Sequence, residues 1–288
     1  MTVKAAIHNP IGDTVAKHPD AVRLGRIGWF AKGVVYVLAG ALALLVMARS
    51  LGWVGGATNA AKEASPTGAI KEIARSGGGP LVLYALAFGM FIYALWRLVT
   101  ALLPGSTDAK GWATRAGYVV SAIIYTGLGS TAISLARSPG TKASTDGNKT
   151  VTDATARLMQ HTAGRWMIGL AGAIAIGAGL YHIIQGVQGG ATKDVDMSGM
   201  PASRARWTRR FGAAGEIGRG LAIGLIGFFL LRAAITFNAA EATGLDGALR
   251  RVVVGKGGAA LVAVVGVGLV AYGVFCVTTF SRQRMHAP

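Results

Sequence analysis

The chain contains six blocks of about 20 almost continuously apolar residues, separated by shorter polar segments. A helix of that length, rising about 1.5 Å per residue, crosses about 30 Å of hydrocarbon. Strands of a membrane barrel would instead alternate polar and apolar residues over about ten positions. The pattern therefore predicts an all-α, polytopic membrane protein with transmembrane helices near residues 29–48, 81–103, 117–136, 166–187, 217–237 and 261–280.

The pattern of the first block recurs 89 positions later and, with more drift, 187 positions later. Arg26, Gly28, Gly33, Tyr36 and Gly40 correspond to Arg115, Gly117, Ala122, Tyr125 and Gly129, and Gly28, Lys32, Gly33 and Gly40 to Gly215, Arg219, Gly220 and Gly227. Each even-numbered block also carries a glycine four residues before a tyrosine. These pairs are Gly89 and Tyr93, Gly177 and Tyr181, and Gly268 and Tyr272.

Internal repeats of this kind indicate that the chain is built from copies of one unit. Each copy holds two helices, so all three copies enter the membrane from the same side, and their symmetry axis runs along the membrane normal. We therefore expect three tandem helix pairs in a pseudo-threefold ring. The predicted segments are a cytoplasmic amino-terminal segment 1–22, repeat 1 over 23–105, repeat 2 over 106–190, a basic linker 191–210 and repeat 3 over 211–282.

A short segment connects the two helices of each pair. Residues 68–71 (Gly-Ala-Ile-Lys) match residues 247–250 (Gly-Ala-Leu-Arg), and residues 153–158 take this place in the second repeat. Apolar residues at helical spacing beside basic ones are typical of a helix that lies on the membrane surface. Ser65 before Pro66 has the form of a helix N-cap. The pattern predicts short interfacial connecting helices.

Small residues within the blocks form helix faces along which backbones can approach closely, the usual basis of helix association in lipid. The chain has 43 glycines, and Gly169, Ala173 and Gly177, like Gly220 and Gly224, recur every four residues. These faces predict packing within the chain, with a dimer interface as the alternative.

Composition supports the membrane assignment and suggests partners. The chain is 52% hydrophobic and only 14% charged, yet its formal net charge is +17. Beside six spans, that charge favours contact with anionic lipid head groups. It does not favour nucleic acid binding, and an acidic protein partner or a larger membrane complex remains open. The bias of basic residues between the two sides is shallow, and those at the span ends, including the run Arg204 to Arg210, favour an orientation with both termini cytoplasmic.

Basic residues inside the spans are the candidate site, because ionisable groups at membrane depth are costly and often functional. Lys32 and Arg219 occupy equivalent repeat positions. We expect their side chains either to snorkel to the head groups or to contact an anionic lipid or substrate within the ring. Glu216, three residues before Arg219, is expected to pair with it. Arg97, with Tyr93 and Trp96, ends the second span as an interfacial cluster.

His182 in the fourth span is the remaining candidate contact. An ordinary hydrogen-bonded helix contact is the simplest interpretation of this residue, with proton relay, substrate contact and haem ligation as alternatives. The predicted spans contain no deep acidic residue, and the chain shows no metal-ligand spacing, paired carboxylates or nucleophile motif. The single cysteine, Cys276, excludes an intramolecular disulfide. The sequence therefore predicts no enzymatic activity, no cofactor and no metal site.

The segment from Arg26 to Tyr36, together with Phe88-Gly89 and residues 93–97, resembles the bacterial membrane family catalogued as domain of unknown function 1206. The resemblance implies two-helix units, usually three per chain, and residence in the bacterial plasma (inner) membrane, and it supplies no activity. Two functions remain open at this point. One is a non-catalytic protein that binds lipid or a partner complex as an accessory or scaffolding subunit. The other is a transporter or channel for a small solute or anionic lipid.

Overall fold

The computed structural model describes residues 19–53, 66–74, 78–102, 109–137, 147–161 and 163–283. Six of its helices are long and apolar enough to cross a membrane. They are α1 (Pro19–Ser50), α3 (Gly79–Leu102), α4 (Ala109–Arg137), α6 (Gly164–Val187), α7 (Ala202–Thr236) and α9 (Gly258–Thr279). The predicted class, an all-α polytopic membrane protein with six spans, is confirmed. Ser65 and residues 1–18 of the predicted amino-terminal segment lie outside the described residues.

Two of the long helices begin well before their apolar blocks. α1 begins at Pro19, and α7 begins at Ala202, whereas the predicted fifth span began at residue 217. Residues 202–210, predicted as part of a linker, therefore form the first turns of α7. The longer helix also brings Glu216 into the bundle.

In each pair, one short helix connects the two long helices, as predicted. These connecting helices are α2 (Pro66–Ala74), α5 (Gly147–Met159) and α8 (Leu245–Val253). The apolar side chains of Ile70 in α2 and Leu249 in α8 are fully buried. α2 contacts α1, α3 and α4, while α8 contacts α9, α7 and α1. These two helices thus turn their apolar residues toward the protein, and each also contacts the first helix of the following repeat.

The long helices pack in the order α4, α3, α1, α9, α7, α6. The three interfaces between repeats, α3 with α4, α6 with α7 and α9 with α1, are all extensive. Within the repeats, α1 packs against α3 and α7 against α9, but α4 has no extensive contact with α6. The arrangement is the expected pseudo-threefold ring, opened within the second pair.

Glycines allow the close approach of α6 and α7. A methyl group added at Gly179 would lie 2.6 Å from the carbonyl oxygen of Gly220, and Gly172 and Gly186 face the backbone of α7 in the same way. These three glycines are spaced seven residues apart, a spacing that keeps one face of each helix against the other. The prediction of packing within the chain is confirmed, but the predicted face was wrong at Gly177, which has no neighbour within 4 Å of an added methyl group.

The first and third pairs are closed by small residues at equivalent positions. A methyl group at Gly89 of α3 would lie 2.6 Å from the Cβ atom of Ala31 in α1. In the third pair, a methyl group at Gly218 of α7 would lie 2.5 Å from the Cα atom of Gly268 in α9. Neither interface has room for a larger side chain at these positions.

The second pair keeps the small residue of the even helix, Gly177, and Gly117 of the odd helix, but differs at one position of the odd helix. Position 120, equivalent to Ala31 and Gly218, is a valine that is 54% exposed. Methyl groups added at Gly117 or Gly177 would have no neighbour within 4 Å. Because the valine side chain occupies the place where a backbone would approach, α4 and α6 remain apart.

Equivalent glycines in the second and third pairs provide a stability test. We expect Gly268→Ala to lower the free energy of unfolding by about 1–3 kcal/mol, because the added methyl group meets the backbone of Gly218. Gly177→Ala has open space and should leave stability unchanged or slightly higher. Thermal unfolding of both variants in the same detergent measures the difference. Equal losses of stability would contradict the open second pair.

Candidate functional site

Lys32 lies at the centre of the bundle, and its side chain is only 4% exposed. Of the two alternatives expected for Lys32, this burial disfavours snorkelling to the head groups. Five aromatic rings surround its ammonium group at favourable cation–π distances. From Nζ to the ring centroids these distances are 4.6 Å for Trp29, 5.0 Å for Tyr272, 5.1 Å for Tyr93 and 5.9 Å for both Tyr36 and Tyr125.

Two tyrosine hydroxyl groups link Lys32 to two arginines. Lys32 Nζ donates to the hydroxyl oxygens of Tyr93, at 3.2 Å, and Tyr272, at 2.9 Å. The hydroxyl of Tyr93 also accepts from Arg97 Nε at 2.8 Å and Nη2 at 2.6 Å, and that of Tyr272 accepts from Arg219 Nη1 at 2.7 Å. Each hydroxyl thus lies between two cations and retains one proton to donate.

The repeat pattern explains why these tyrosines reach Lys32. Tyr93 and Tyr272 come from the glycine–tyrosine signature of the even helices, and both are almost fully buried. Methyl groups added at Gly28 of α1 and Gly215 of α7 would lie 2.7 Å from the Cβ of Tyr93 and 2.6 Å from the Cα of Tyr272. The small residues therefore set the closeness of the helices that brings the two hydroxyls to the cations.

Arg219, His182 and Glu216 form a connected chain. Arg219 Nη1 donates to Glu216 Oε1 at 3.3 Å, which confirms the predicted pair. Arg219 Nη2 lies 2.8 Å from His182 Nε2, and His182 Nδ1 lies 2.7 Å from Glu216 Oε2. Because an arginine only donates, Nε2 must accept and Nδ1 must carry the proton. His182 is therefore the neutral tautomer, with both ring nitrogens engaged.

The position of Glu216 changes an expectation from the sequence. We expected no acidic residue deep in a span, but the early start of α7 places Glu216 inside the helix, with its side chain 13% exposed. Here it offsets part of the positive charge. Trp29 occupies the equivalent position in the first repeat, and its indole Nε1 is buried without a hydrogen-bond partner among the described residues.

The cluster lies near one side of the bundle, the side where α1 begins and α3, α6 and α9 end. Lys32 is seven residues past Gly25, where the first span begins, or about 10 Å at 1.5 Å per residue. Arg97 and His182 each lie five residues before the end of their helices. Lys32, Arg97 and His182 thus each lie one to two helical turns from the end of a span, at the same side of the bundle. We call Lys32, Arg97, Arg219, Glu216, His182, Tyr93 and Tyr272 the central cluster.

The charges of the central cluster do not balance. Lys32, Arg97 and Arg219 are positive, and in the described part of the chain Glu216 is the only carboxylate bonded to them. Among the described residues, two of these positive charges therefore have no carboxylate partner. The structure brings together all four sequence-based candidates, Lys32, Arg97, Arg219 and His182. Sequence reasoning missed the two tyrosine hydroxyls as bridging groups, although the glycine–tyrosine signature marked their positions.

The remaining candidates lie elsewhere or are inaccessible. Cys276 is fully buried. Arg232 pairs with Glu241 at the opposite side of the bundle. Near it lies a shallow depression of about 550 Å³ that includes Lys149, Asp153 and Arg251. Across the described residues, no three side chains of the types that bind metal ions come together.

Comparison with known proteins agrees with the resemblance seen in the sequence. The chain is 27% identical over 270 residues to "Uncharacterized protein YxxB" of Bacillus subtilis (strain 168), an alignment that covers 93% of each protein. No solved structure matches. The model of one family matches three segments, residues 27–103, 116–189 and 214–279, one in each helix pair. The chain therefore belongs to the bacterial family described as Domain of Unknown Function (DUF1206).

Proposed function

We propose that this protein is a non-catalytic membrane protein that binds an anionic lipid head group at the central cluster. The observation that carries the proposal is the charge imbalance: among the described residues, three buried or partly buried cations share the cluster with one bonded carboxylate, which pairs with Arg219. Placing one arginine or lysine at membrane depth costs about 3 kcal/mol. An anion would offset this cost and give the uncompensated cations a partner.

The hydrogen bonds of the cluster support the same conclusion. Lys32, Arg97 and Arg219 only donate, and the hydroxyls of Tyr93 and Tyr272 each accept from two of these cations. Among the described residues, the Tyr93 hydroxyl proton has no bonded acceptor, whereas the Tyr272 hydroxyl also bonds to the thiol of Cys276. Donors therefore outnumber acceptors, and the oxygens of a phosphate group would supply the missing acceptors.

The buried centre favours binding over conduction. Lys32, Tyr93 and Tyr272 fill the middle of the ring and are all less than 5% exposed. A filled centre is expected in an accessory or scaffolding subunit that holds a lipid for a larger complex. A carrier for a small anion is the second candidate, and the 19–20% exposure of Arg219 and His182 is the observation that favours it. We further propose residence in the plasma membrane, with this side of the bundle facing the cytoplasm.

Substitution of Arg219 tests the proposed binding directly. We expect Arg219→Gln to weaken binding of phosphatidylglycerol about ten- to hundredfold, because a hydrogen bond to a charged group contributes about 1.5–3 kcal/mol. Native mass spectrometry during titration of the lipid into the purified protein measures this affinity. Arg209→Gln is the matched control, since Arg209 is exposed on the same helix. Equal affinity in both variants, or equal affinity for phosphatidylcholine, would contradict the proposal.

Substitution of Lys32 tests whether this residue stabilises the fold or binds the lipid. Removing one partner of a buried ion pair is destabilising because it leaves the opposite charge unpaired, but the described partners of Lys32 are neutral tyrosine hydroxyls, so its removal leaves no such charge. We therefore expect Lys32→Met to retain the melting temperature of the unmodified protein while losing most of its affinity for phosphatidylglycerol. Thermal unfolding and the lipid titration on the same preparation give both values. A large loss of stability with unchanged lipid affinity would assign Lys32 to the fold alone.

A partner complex is tested separately from lipid binding. Purification from native membranes in a mild detergent should yield a stoichiometric protein partner if the chain is an accessory subunit. Mass spectrometry of the co-eluting proteins identifies that partner. A monodisperse single chain that retains one anionic lipid would instead favour the carrier.

A further inference from the structure

The opening between α4 and α6 lies beside the central cluster. On the α4 side, the guanidinium carbon of Arg97 lies 4.8 Å from the ring centroid of Tyr118. On the α6 side, Arg219 bonds to His182, which is 20% exposed. The two arginines therefore reach the two helices that border the opening. The opening and the cations of the central cluster are therefore adjacent.

The opening has a largely apolar face. We call Gly117 and Val120 on α4, with Gly177 and Tyr181 on α6, the open face. They correspond to residues that are covered in the first and third pairs, yet here Val120 and Tyr181 are 54% and 55% exposed. The helices that should cover this face are kept apart by Val120 itself. In a bilayer this face is therefore covered by lipid chains or by another protein segment, and the cations beside it distinguish it from the other apolar faces of the bundle.

A buried donor without a partner supplies an independent sign of a missing ligand. Trp29 is 9% exposed, and its ring lies against Lys32 Nζ, but its Nε1 group has no hydrogen-bond partner among the described residues. A buried indole nitrogen usually has an acceptor. The cluster thus lacks negative charge and at least one hydrogen-bond acceptor.

We propose that the open face is the lateral entry and acyl-chain seat of one anionic phospholipid, whose phosphate group lies between Arg97 and Arg219. This inference rests on the proposed function, because it assumes that the central cluster binds an anion. A phospholipid has the matching chemistry at both places. Its phosphate satisfies cations one to two turns inside the membrane face, and the attached acyl chain covers the apolar opening directly beside them.

The open face also favours a lipid over a transmembrane helix. Close helix association in membranes needs small residues on both surfaces, and Val120 interrupts the small-residue face of α4. A flexible acyl chain adapts to such a surface, and a helix does not. A helix would also have to carry an acidic residue at the depth of Arg219 to compensate the cluster.

Two probes and two variants test the inference. The probes are phosphatidylglycerol with a photoreactive diazirine in its acyl chain and soluble glycerol 1-phosphate, both applied to the full chain in nanodiscs of phosphatidylcholine. Gly177→Leu fills the open face, and Ala85→Leu adds the same bulk to an exposed position on α3. We expect Gly177→Leu to reduce photolabelling at least tenfold while binding of glycerol 1-phosphate changes less than twofold. Ala85→Leu should change neither.

The labelled peptides and the soluble probe distinguish the possible failures. In the unmodified protein, labels should map to α4 near Val120 and to α6 near Gly177. Labels elsewhere, or labelling that Gly177→Leu leaves unchanged, would overturn the lateral site while leaving anion binding intact. Binding of glycerol 1-phosphate without lipid labelling would identify a free anion as the ligand and would also overturn it. Failure of both probes would refute the proposed function itself. If Gly177→Leu does not fold, the label positions in the unmodified protein decide the question.

A second copy of this chain is the other occupant that the experiment detects. Cross-linking of Val120→Cys chains into dimers in the same nanodiscs, at a lipid excess that abolishes random contact, would show the open face to be covered by protein. That outcome overturns the acyl-chain seat. A monomer with lipid labels at Val120 supports it.

Discussion

The charge of Lys32 is buried away from bulk water and has to be compensated by neighbouring groups. The rest of the structure depends on this constraint. Five aromatic rings and two tyrosine hydroxyls surround the ammonium group. These contacts are favourable, but none of the groups is a carboxylate. The two nearby arginines share the same hydroxyls and add to the positive charge. The cluster remains positively charged and short of hydrogen-bond acceptors, and an anionic ligand would supply both the charge and the acceptors.

The threefold repeat builds this centre by bringing helices unusually close. Small residues at Gly28 and Gly215 allow Tyr93 and Tyr272 to lie against the preceding helix, with their hydroxyls at Lys32. The second repeat has diverged at position 120, and its tyrosine, Tyr181, is exposed instead. One change in side-chain volume thus accounts for both the loss of a third bridging tyrosine and the opening of the ring. The asymmetry places the opening where Arg97 and Arg219 reach the borders.

Much of the fold was predictable because its determinants are local. Length and apolarity define the six spans, and the repeat register gives the pairing of the helices. The short connecting helices and the pair of Glu216 with Arg219 follow from helical spacing alone. The register also held a signal for the opening, since Val120 stands where the other repeats have Ala31 and Gly218. The consequence of a valine at this position can be inferred only once the close contacts at Ala31 and Gly218 are known.

The parts that the sequence did not predict depend on tertiary contacts. Whether Lys32 snorkels or stays buried is decided by aromatic residues on three other helices, not by its position along α1. The depth of Glu216 depends on how far α7 extends beyond its apolar block. Likewise, the packed face of α6 is set by its fit to α7 along Gly172, Gly179 and Gly186, so the more obvious stripe that includes Gly177 was misleading.

An experimental structure in nanodiscs that contain phosphatidylglycerol tests the central claim most directly. The account predicts density for a phosphate group within hydrogen-bonding distance of Arg97 or Arg219, continuous with an acyl chain between α4 and α6. A structure in which α4 and α6 close against each other, with Lys32 held by the protein alone and no density at the arginines, would contradict it.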